Sequence, residues 1–231
     1  MDVRACVPAR RRLGAWFFIV TLVAVVTLAA PPGAAAADKA LTRTQAVKAL
    51  TQTEPALRRT GVERLGEVGT MADADRLVAR LSDDDAQVRE LAAASLWMVW
   101  SRSNDRAIDA LFQRGVTQMS ESQLAEAEAT FSEIIRRKPA FAEGWNKRAT
   151  VRFLRGDYEA SLKDCAEVMK RNPNHFGALS GYGQIYVTLG DFERAIGYFE
   201  RALEVNPNLA SAALTIEILK QQVEERRRHS T

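Results

Sequence analysis

The residues of this chain that could carry out chemistry are few and far apart. Outside the first 37 residues the sequence contains two histidines, His175 and His229, and one cysteine, Cys165, and their spacing matches no metal-ligand motif. The acidic run at Asp83–Asp85 lacks the spaced ligands and the final glutamate of a calcium loop, and such runs are more often helix-capping turns. Neither a G-x-S-x-G motif nor a phosphate-binding glycine loop occurs. The sequence therefore predicts a protein that is not an enzyme and that needs no metal or cofactor.

The first 37 residues have the three parts of a secretory signal peptide. A basic stretch ends at Arg12, an uncharged apolar run covers residues 13–30, and a Pro-Pro-Gly break separates that run from four alanines. Small residues in an A-x-A arrangement suit signal peptidase, which predicts cleavage after Ala37 and a secreted or periplasmic protein. The alternative is an uncleaved membrane anchor, because the apolar run is just long enough to span a bilayer.

The excess positive charge of the chain lies in the same N-terminal segment. The whole chain has a formal charge of +3, but the first 37 residues hold four arginines against one acid, Asp2. The 28 basic and 28 acidic residues that remain balance each other. The folded part therefore has no overall electrostatic attraction for nucleic acid, and we expect no nucleic-acid partner.

The elements that position side chains in the C-terminal half repeat at a fixed interval. Pro139, Pro173 and Pro207 share a 34-residue spacing, and columns of small and aromatic residues keep it. A fixed period of this kind predicts pairs of helices stacked into a solenoid. In the second unit we expect helix A near residues 143–154 and helix B near residues 158–171, with a Gly-Asp turn between them.

These units resemble the tetratricopeptide repeat (TPR) family, whose pattern places small residues at positions 8, 20 and 27, aromatic residues at 11 and 24, and proline at 32. The units begin at Ile108, Ala142 and Phe176. The third unit follows the pattern nearly throughout, whereas Gln118 and Arg152 occupy the aromatic position 11 of the first two units. The resemblance implies an all-α, right-handed α-solenoid in which small residues let helices A and B approach closely.

Cys165 stands at position 24 of the second unit, where the flanking units have Phe131 and Phe199. This column faces the helix-packing interior, so we expect Cys165 to be a small buried residue rather than a reactive thiol. It is the only cysteine after the N-terminal segment, and an internal disulfide is therefore excluded for the mature chain.

The segment before the 34-residue units has a weaker internal period of about 31 residues. Leu65 aligns with Leu96, and residues 85–93 (DAQVRELAA) resemble a HEAT-type repeat. The nearby pair Trp97 and Trp100 has two interpretations, a ligand-binding hot spot or a buried junction between the two arrays, and we favour the junction.

The predicted organisation has four parts. A signal peptide (1–37) precedes HEAT-like helical repeats (38–107), three TPR units (108–208), and a C-terminal capping helix with a polar tail (209–231). A repeat array needs such a cap to cover its last apolar face. No linker rich in Gly, Ser or Pro separates the two arrays, so we expect a helix starting near Asp105 to join them into one continuous solenoid.

The resemblance also indicates where a partner would bind, because TPR proteins hold peptides on the concave surface formed by the first helix of each repeat. Of the positions that form the carboxylate clamp in Hsp70- and Hsp90-binding members, only Lys147 has a suitable side chain here. An apolar segment or a helix of a protein partner is therefore favoured. The alternative is that Phe112, Val116 and Phe153 pack inside the protein. The candidate groove residues are Phe112, Val116, Met119, Asn146, Lys147, Thr150, Phe153, Gln184 and Val187.

Together, the signal-peptide pattern and the resemblance predict a non-catalytic, exported TPR scaffold or adaptor that mediates protein–protein interaction in the cell envelope. The alternative is an accessory subunit of an envelope enzyme or secretion complex, retained by an uncleaved N-terminal anchor. If the signal is cleaved, we expect no membrane span in the mature form.

Overall fold

The computed structural model describes residues 40–229. The expected signal peptide, its cleavage after Ala37 and the alternative anchor at residues 13–30 lie outside these residues. Between residues 40 and 229 the chain forms α-helices, two short 3₁₀ turns and no β-strand, which confirms the all-α class. The helices are α1 (Arg43–Ala49), α2 (Pro55–Val68), α3 (Ala74–Val78), α4 (Ala86–Trp100), α5 (Arg106–Ser120), α6 (Leu124–Arg137), α7 (Ala142–Leu154), α8 (Tyr158–Arg171), α9 (Phe176–Thr188), α10 (Phe192–Val205) and α11 (Ala210–His229).

The 34-residue units fold as the helix pairs α5/α6, α7/α8 and α9/α10, and α11 packs on α10. Helices α7 and α8 match the predicted bounds to within one residue. The turns between helices A and B place Gly156 and Gly190 at positive φ, 84° and 74°. Ser122, at the equivalent position of the first unit, also has a positive φ of 60°. Glycine adopts this conformation freely, whereas other residues are strained by about 1–2 kcal/mol.

Close approach of helices A and B explains the small and aromatic columns. A Cβ atom on Gly115 would lie 2.7 Å from the ring of Phe131, and one on Gly183 would lie 2.7 Å from the ring of Phe199. The middle unit has a larger residue in helix A, Ala149, opposite the smaller Cys165 in helix B, and both are buried. The larger residue in helix A and the smaller one in helix B therefore compensate each other in part.

At position 11 of the second unit, Arg152 stands where the family pattern has an aromatic residue. It forms ion pairs instead of packing in the core. Its guanidinium lies 2.9 Å from Asp164 of α8 and 2.9 Å from Glu128 of α6, which links the second unit to the first. Arg148 adds a bidentate pair to the same buried Asp164, at 2.8 and 2.9 Å. These charged groups are therefore structural, since each carboxylate is held by arginines across a helix interface.

Helices α1 to α4 share an apolar core that includes Leu65 and Leu96. Arg58 is buried on α2 and binds Asp83 at 2.7 Å, with a further contact to Asp84. Asp85 caps α4 by accepting a hydrogen bond from the backbone N–H of Val88 at 2.9 Å. The acidic run is thus a capping turn held by arginine, while the HEAT-like assignment of residues 38–107 stays a prediction.

The N-terminal helices pack on the third TPR unit, which differs from the continuous stack expected through α5. Phe176 of α9 belongs to the same buried cluster as α2 and α4, and in the described chain that cluster includes no residue of α5. Asn208 donates to the Leu81 carbonyl at 2.7 Å and accepts from Arg89 at 3.0 Å. Asn104, with a positive φ of 60°, turns the chain between α4 and α5. The apolar side of α5 packs on α6 and α7 instead, so α5 is not shared between the two arrays.

Candidate protein-binding pocket

A pocket of about 380 Å³ opens between α7, α9 and α11, on the side formed by the first helix of each unit. Its floor is apolar and its rim carries hydroxyl and amide groups. None of the lining residues in the described part of the chain is charged. They are Asn146, Ala149, Thr150, Phe153, Ser161, Cys165, Gly177, Ser180, Gly181, Gln184, Ile185, Phe199, Leu209, Ser211, Ala212 and Thr215.

Three rim hydroxyls donate to their own helices. Thr150 donates to the carbonyl of Asn146 at 3.1 Å, Ser180 to that of Phe176 at 2.9 Å, and Thr215 to that of Ser211 at 2.8 Å. Each of these bonds reaches back by one helical turn, as is common for Ser and Thr within helices. A hydroxyl has one hydrogen and two acceptor lone pairs, so while these backbone bonds are kept the groups offer acceptors to a ligand.

A buried carboxylate lies behind one end of the pocket. Glu143 is fully buried on α7, where its two oxygens accept hydrogen bonds from the side-chain amide nitrogen of Asn146 at 3.0 and 3.1 Å. Lys147 lies 3.3 Å from Glu143 Oε1, and His175 Nε2 lies 2.8 Å from Oε2. Burial by itself would raise the pKa of Glu143, but the hydrogen bond from His175, the charge of Lys147 and the bond from Asn146 hold the pKa below its usual value.

His175 joins this carboxylate to the start of α9. Its Nδ1 accepts a hydrogen bond from the backbone N–H of Ala178 at 3.1 Å, which caps the helix. With Nδ1 as an acceptor, the ring hydrogen lies on Nε2 and is donated to Glu143. The ring of Trp100 stacks on His175 at a centroid distance of 4.4 Å.

The two tryptophans of α4 cover the beginning of the concave surface. Trp97 contacts His175 and Phe176, and it lies so close to Gly177 that no side chain would fit there. Trp100 is 3% exposed and stacks in the same cluster. Trp100 is thus buried and Trp97 partly buried at a junction between α4 and the third TPR unit.

The structure divides the sequence-predicted groove residues into three groups. Asn146, Thr150, Phe153 and Gln184 come together as lining residues of the pocket. Lys147 lies beside Glu143 and beneath the ring of Trp97. The remaining four do not line the pocket: Phe112 is buried, and Val116, Met119 and Val187 are partly buried and pack against apolar clusters.

Phe112 is the clearest correction among these residues. It is 3% exposed, and its ring centroid lies 6.0 Å from that of Phe131 and 5.6 Å from that of Phe141. Three aromatic rings thus fill the space between the first two units, where burial of apolar surface is favourable. Phe112 belongs to the core, as the alternative interpretation stated.

Ser211 and Thr215 of α11 line the pocket but were missed from the sequence, because α11 was interpreted only as a cap. A signal was present in the 34-residue period. Ser211 falls one full period after Gly177, and Thr215 falls one full period after Gly181. Continuing the period beyond Pro207 would have identified α11 as the first helix of a further unit, with its concave-side positions facing the pocket.

Cys165 lies in the floor of the pocket as a thiol of low reactivity. Burial raises its pKa to about 12, with a smaller contribution from the neighbouring Asp164. A thiol that stays protonated is a poor nucleophile and a poor metal ligand. Among residues 40–229, no group of three or more His, Cys, Asp or Glu side chains is placed to hold a metal ion. In this same range, no helix is both long and apolar enough to cross a bilayer.

Comparison with solved structures agrees with this architecture. The Sgt2 TPR domain from Aspergillus fumigatus superposes with a TM-score of 0.51 and 20% identity, covering 55% of this chain and 85% of that domain. The first TPR domain of human RPAP3 superposes with a TM-score of 0.50 and 21% identity, covering 52% of this chain and 95% of that domain. At these identities the similarity shows the fold alone.

Sequence comparison reaches further than the fold. A family model for the tetratricopeptide repeat matches residues 141–208. A TPR repeat-containing protein of Rhizobium etli is 30% identical over 150 residues, which cover 64% of this chain and 74% of that protein. The chain therefore belongs to the tetratricopeptide repeat family.

Proposed function

We propose that this protein is a non-catalytic scaffold that binds a segment of a protein partner in the pocket between α7, α9 and α11. The observation that carries the proposal is the pocket itself. It measures about 380 Å³, and it lies on the side of the solenoid where the first helix of each unit faces inward. Small concave sites with an apolar floor and a few convergent polar groups are typical binding sites.

The N-terminal helices support this position for the partner. Trp97 and Trp100 already cover the surface next to Gly177, so a ligand cannot follow the whole length of the concave face. The pocket begins where this cover ends, since Gly177 and Gly181 both line it. A partner is therefore held mainly by the second and third units and by α11.

Gly181 offers a direct test of the pocket. A Cβ atom at Gly181 would meet only Cys165 Sγ, at 3.8 Å, so the substitution Gly181→Trp can enter the pocket without a backbone clash. Gly197 of α10 lies outside the pocket lining and has no neighbour within 4 Å of an added Cβ, so Gly197→Trp is a matched control. Replacing glycine within a helix raises helix propensity in both cases.

The experiment is affinity capture from cell extract with the unchanged protein and both variants, followed by quantitative mass spectrometry. We expect a specific partner whose recovery falls about tenfold with Gly181→Trp, a loss of about 1.4 kcal/mol in binding, and is unchanged with Gly197→Trp. Equal recovery by Gly181→Trp, with its helical circular dichroism intact, would reject the pocket as the binding site.

We also propose that the scaffold acts in the cell envelope after export. The support is the basic, apolar and small-residue order of the first 37 residues. Intact-mass measurement on protein from soluble and membrane fractions tests this proposal. A mass that begins at Asp38 supports cleavage, whereas a mass that begins at Met1 in the membrane fraction supports the anchored accessory subunit instead.

A further inference from the structure

The hydrogen-bonding groups around the pocket are mostly acceptors. The hydroxyl hydrogens of Thr150, Ser180 and Thr215 are already donated to carbonyls of their own helices. The amide nitrogen of Asn146 donates to Glu143, and its amide oxygen stays available as an acceptor for a ligand. Gln184 and Ser211, also on the rim, offer donors as well.

The buried negative charge behind the pocket also disfavours an anionic ligand. Glu143 is fully buried and its amide contact with Asn146 orients the dipole of that amide, with the oxygen directed away from the carboxylate. The ammonium nitrogen of Lys147 lies 3.3 Å from Glu143 Oε1 and against the ring of Trp97. Its positive charge is therefore already compensated by Glu143. An anionic ligand group would therefore lose its hydration in the pocket without gaining a cationic partner.

The floor of the pocket accepts an apolar side chain. Phe153, Ile185, Phe199 and Leu209 line it together with Cys165, whose thiol is protonated. The small side chain of Cys165 stands where the flanking units have phenylalanine, and this leaves space beside Gly181. Transfer of an apolar side chain from water into such a floor is favourable.

We infer that the pocket selects a segment of a partner protein that inserts one apolar side chain and presents N–H donors, and that it rejects a free carboxylate. This inference rests on the proposed function, and it assigns the ligand chemistry of the same pocket. The acceptors on the rim match donors of a ligand, and the uncharged apolar floor matches an uncharged apolar group.

A synthetic peptide array tests the inference. Each short peptide carries a central Leu or Phe flanked either by Asn and Lys or by Asp and Glu, and each is made with a C-terminal amide and with a free carboxylate. The purified protein and its Gly181→Trp variant are applied in parallel. We expect the amidated Asn and Lys peptides to bind at least about tenfold more strongly than the acidic peptides, and this binding to disappear in Gly181→Trp.

Two threonines provide the matched variants. Thr150→Val removes a rim acceptor at nearly constant volume, while Thr188→Val removes a hydroxyl with the same backbone bond, to the carbonyl of Gln184 at 3.0 Å, outside the pocket lining. We expect Thr150→Val to weaken binding of the Asn and Lys peptides several-fold and Thr188→Val to leave it unchanged.

The outcomes separate the two proposals. Preferential binding of acidic or free-carboxylate peptides, still lost in Gly181→Trp, would overturn the donor preference and leave the pocket as the binding site. Equal effects of Thr150→Val and Thr188→Val would also overturn the donor preference. Binding that is identical in Gly181→Trp, or no binding by any peptide, would overturn both proposals.

Discussion

His175 Nε2 lies 2.8 Å from Glu143 Oε2, and both side chains are fully buried where α4 meets the second and third TPR units. His175→Ala deletes the hydrogen bond that this buried carboxylate receives from the imidazole and leaves a cavity beside Trp100, while Lys147 stays paired with Glu143. We expect His175→Ala to lower the free energy of unfolding by about 2–4 kcal/mol in urea denaturation at neutral pH. His229→Ala, at an exposed helix end, is the control and should change little. A loss below about 1 kcal/mol for His175→Ala would contradict this account.

The buried carboxylate of Glu143 should make the free energy of unfolding depend on pH. Since the pKa of Glu143 is lowered in the folded state, its stabilising effect is fully present above the unfolded pKa, near 4.5, and is lost as the pH falls through the folded pKa. The variant Glu143→Gln has no such titration. We expect the stability difference between the unchanged protein and Glu143→Gln to shrink as the pH falls below about 4.5. A difference that stays constant across this range would show that Glu143 does not titrate as described.

The middle unit tests whether the small and aromatic columns compensate in volume. Cys165→Phe alone should destabilise by about 1–3 kcal/mol, because the larger ring meets the Cβ of Ala149. Ala149→Gly alone should cost about 1 kcal/mol in helix propensity. In the double variant, which reproduces the Gly–Phe pairs of the flanking units, we expect a favourable coupling of at least about 1 kcal/mol in a double-mutant cycle. Simple additivity of the two losses would contradict the compensation.

The contact between the N-terminal helices and the third unit can be tested by the hydrogen exchange of the α4 amides. Phe176→Ala removes an α9 side chain that belongs to the core of α2 and α4. We expect the amides of α4 to exchange faster than in the unchanged protein, because this region would open locally. Phe112→Ala removes an equally buried ring from the separate cluster of α5 and α6, and it is the control. Equal acceleration of α4 exchange by both variants would contradict a specific contact between α4 and α9.

The sequence predicted the TPR helices well because their determinants are local and periodic. The contacts of Gly183 with Phe199 and of Arg152 with Asp164 each join two residues of the same repeating unit. The period therefore contains the information that defines α7 and α8.

Contacts outside the period could not be found in this way. Trp97 and Phe176 are in contact although they are far apart in the sequence, and no repeat pattern specifies which unit the N-terminal helices contact. The family pattern also did not reveal that Phe112 is buried, because its exposure depends on the aromatic rings that surround it in the folded chain. Sequence reasoning identified Asn146, Thr150 and Gln184 on the pocket rim, and the α11 side would have followed from one more period.

The most direct test of pocket binding is site-specific photo-crosslinking in cells. A photoreactive residue replaces Gln184, on the pocket rim, or Gln113, an exposed residue of α5 outside the pocket lining. We predict that one partner protein is crosslinked from position 184 and not from position 113, and that adding Gly181→Trp abolishes this product. A product of equal yield from both positions, or one that persists from position 184 with Gly181→Trp, would contradict binding in the pocket.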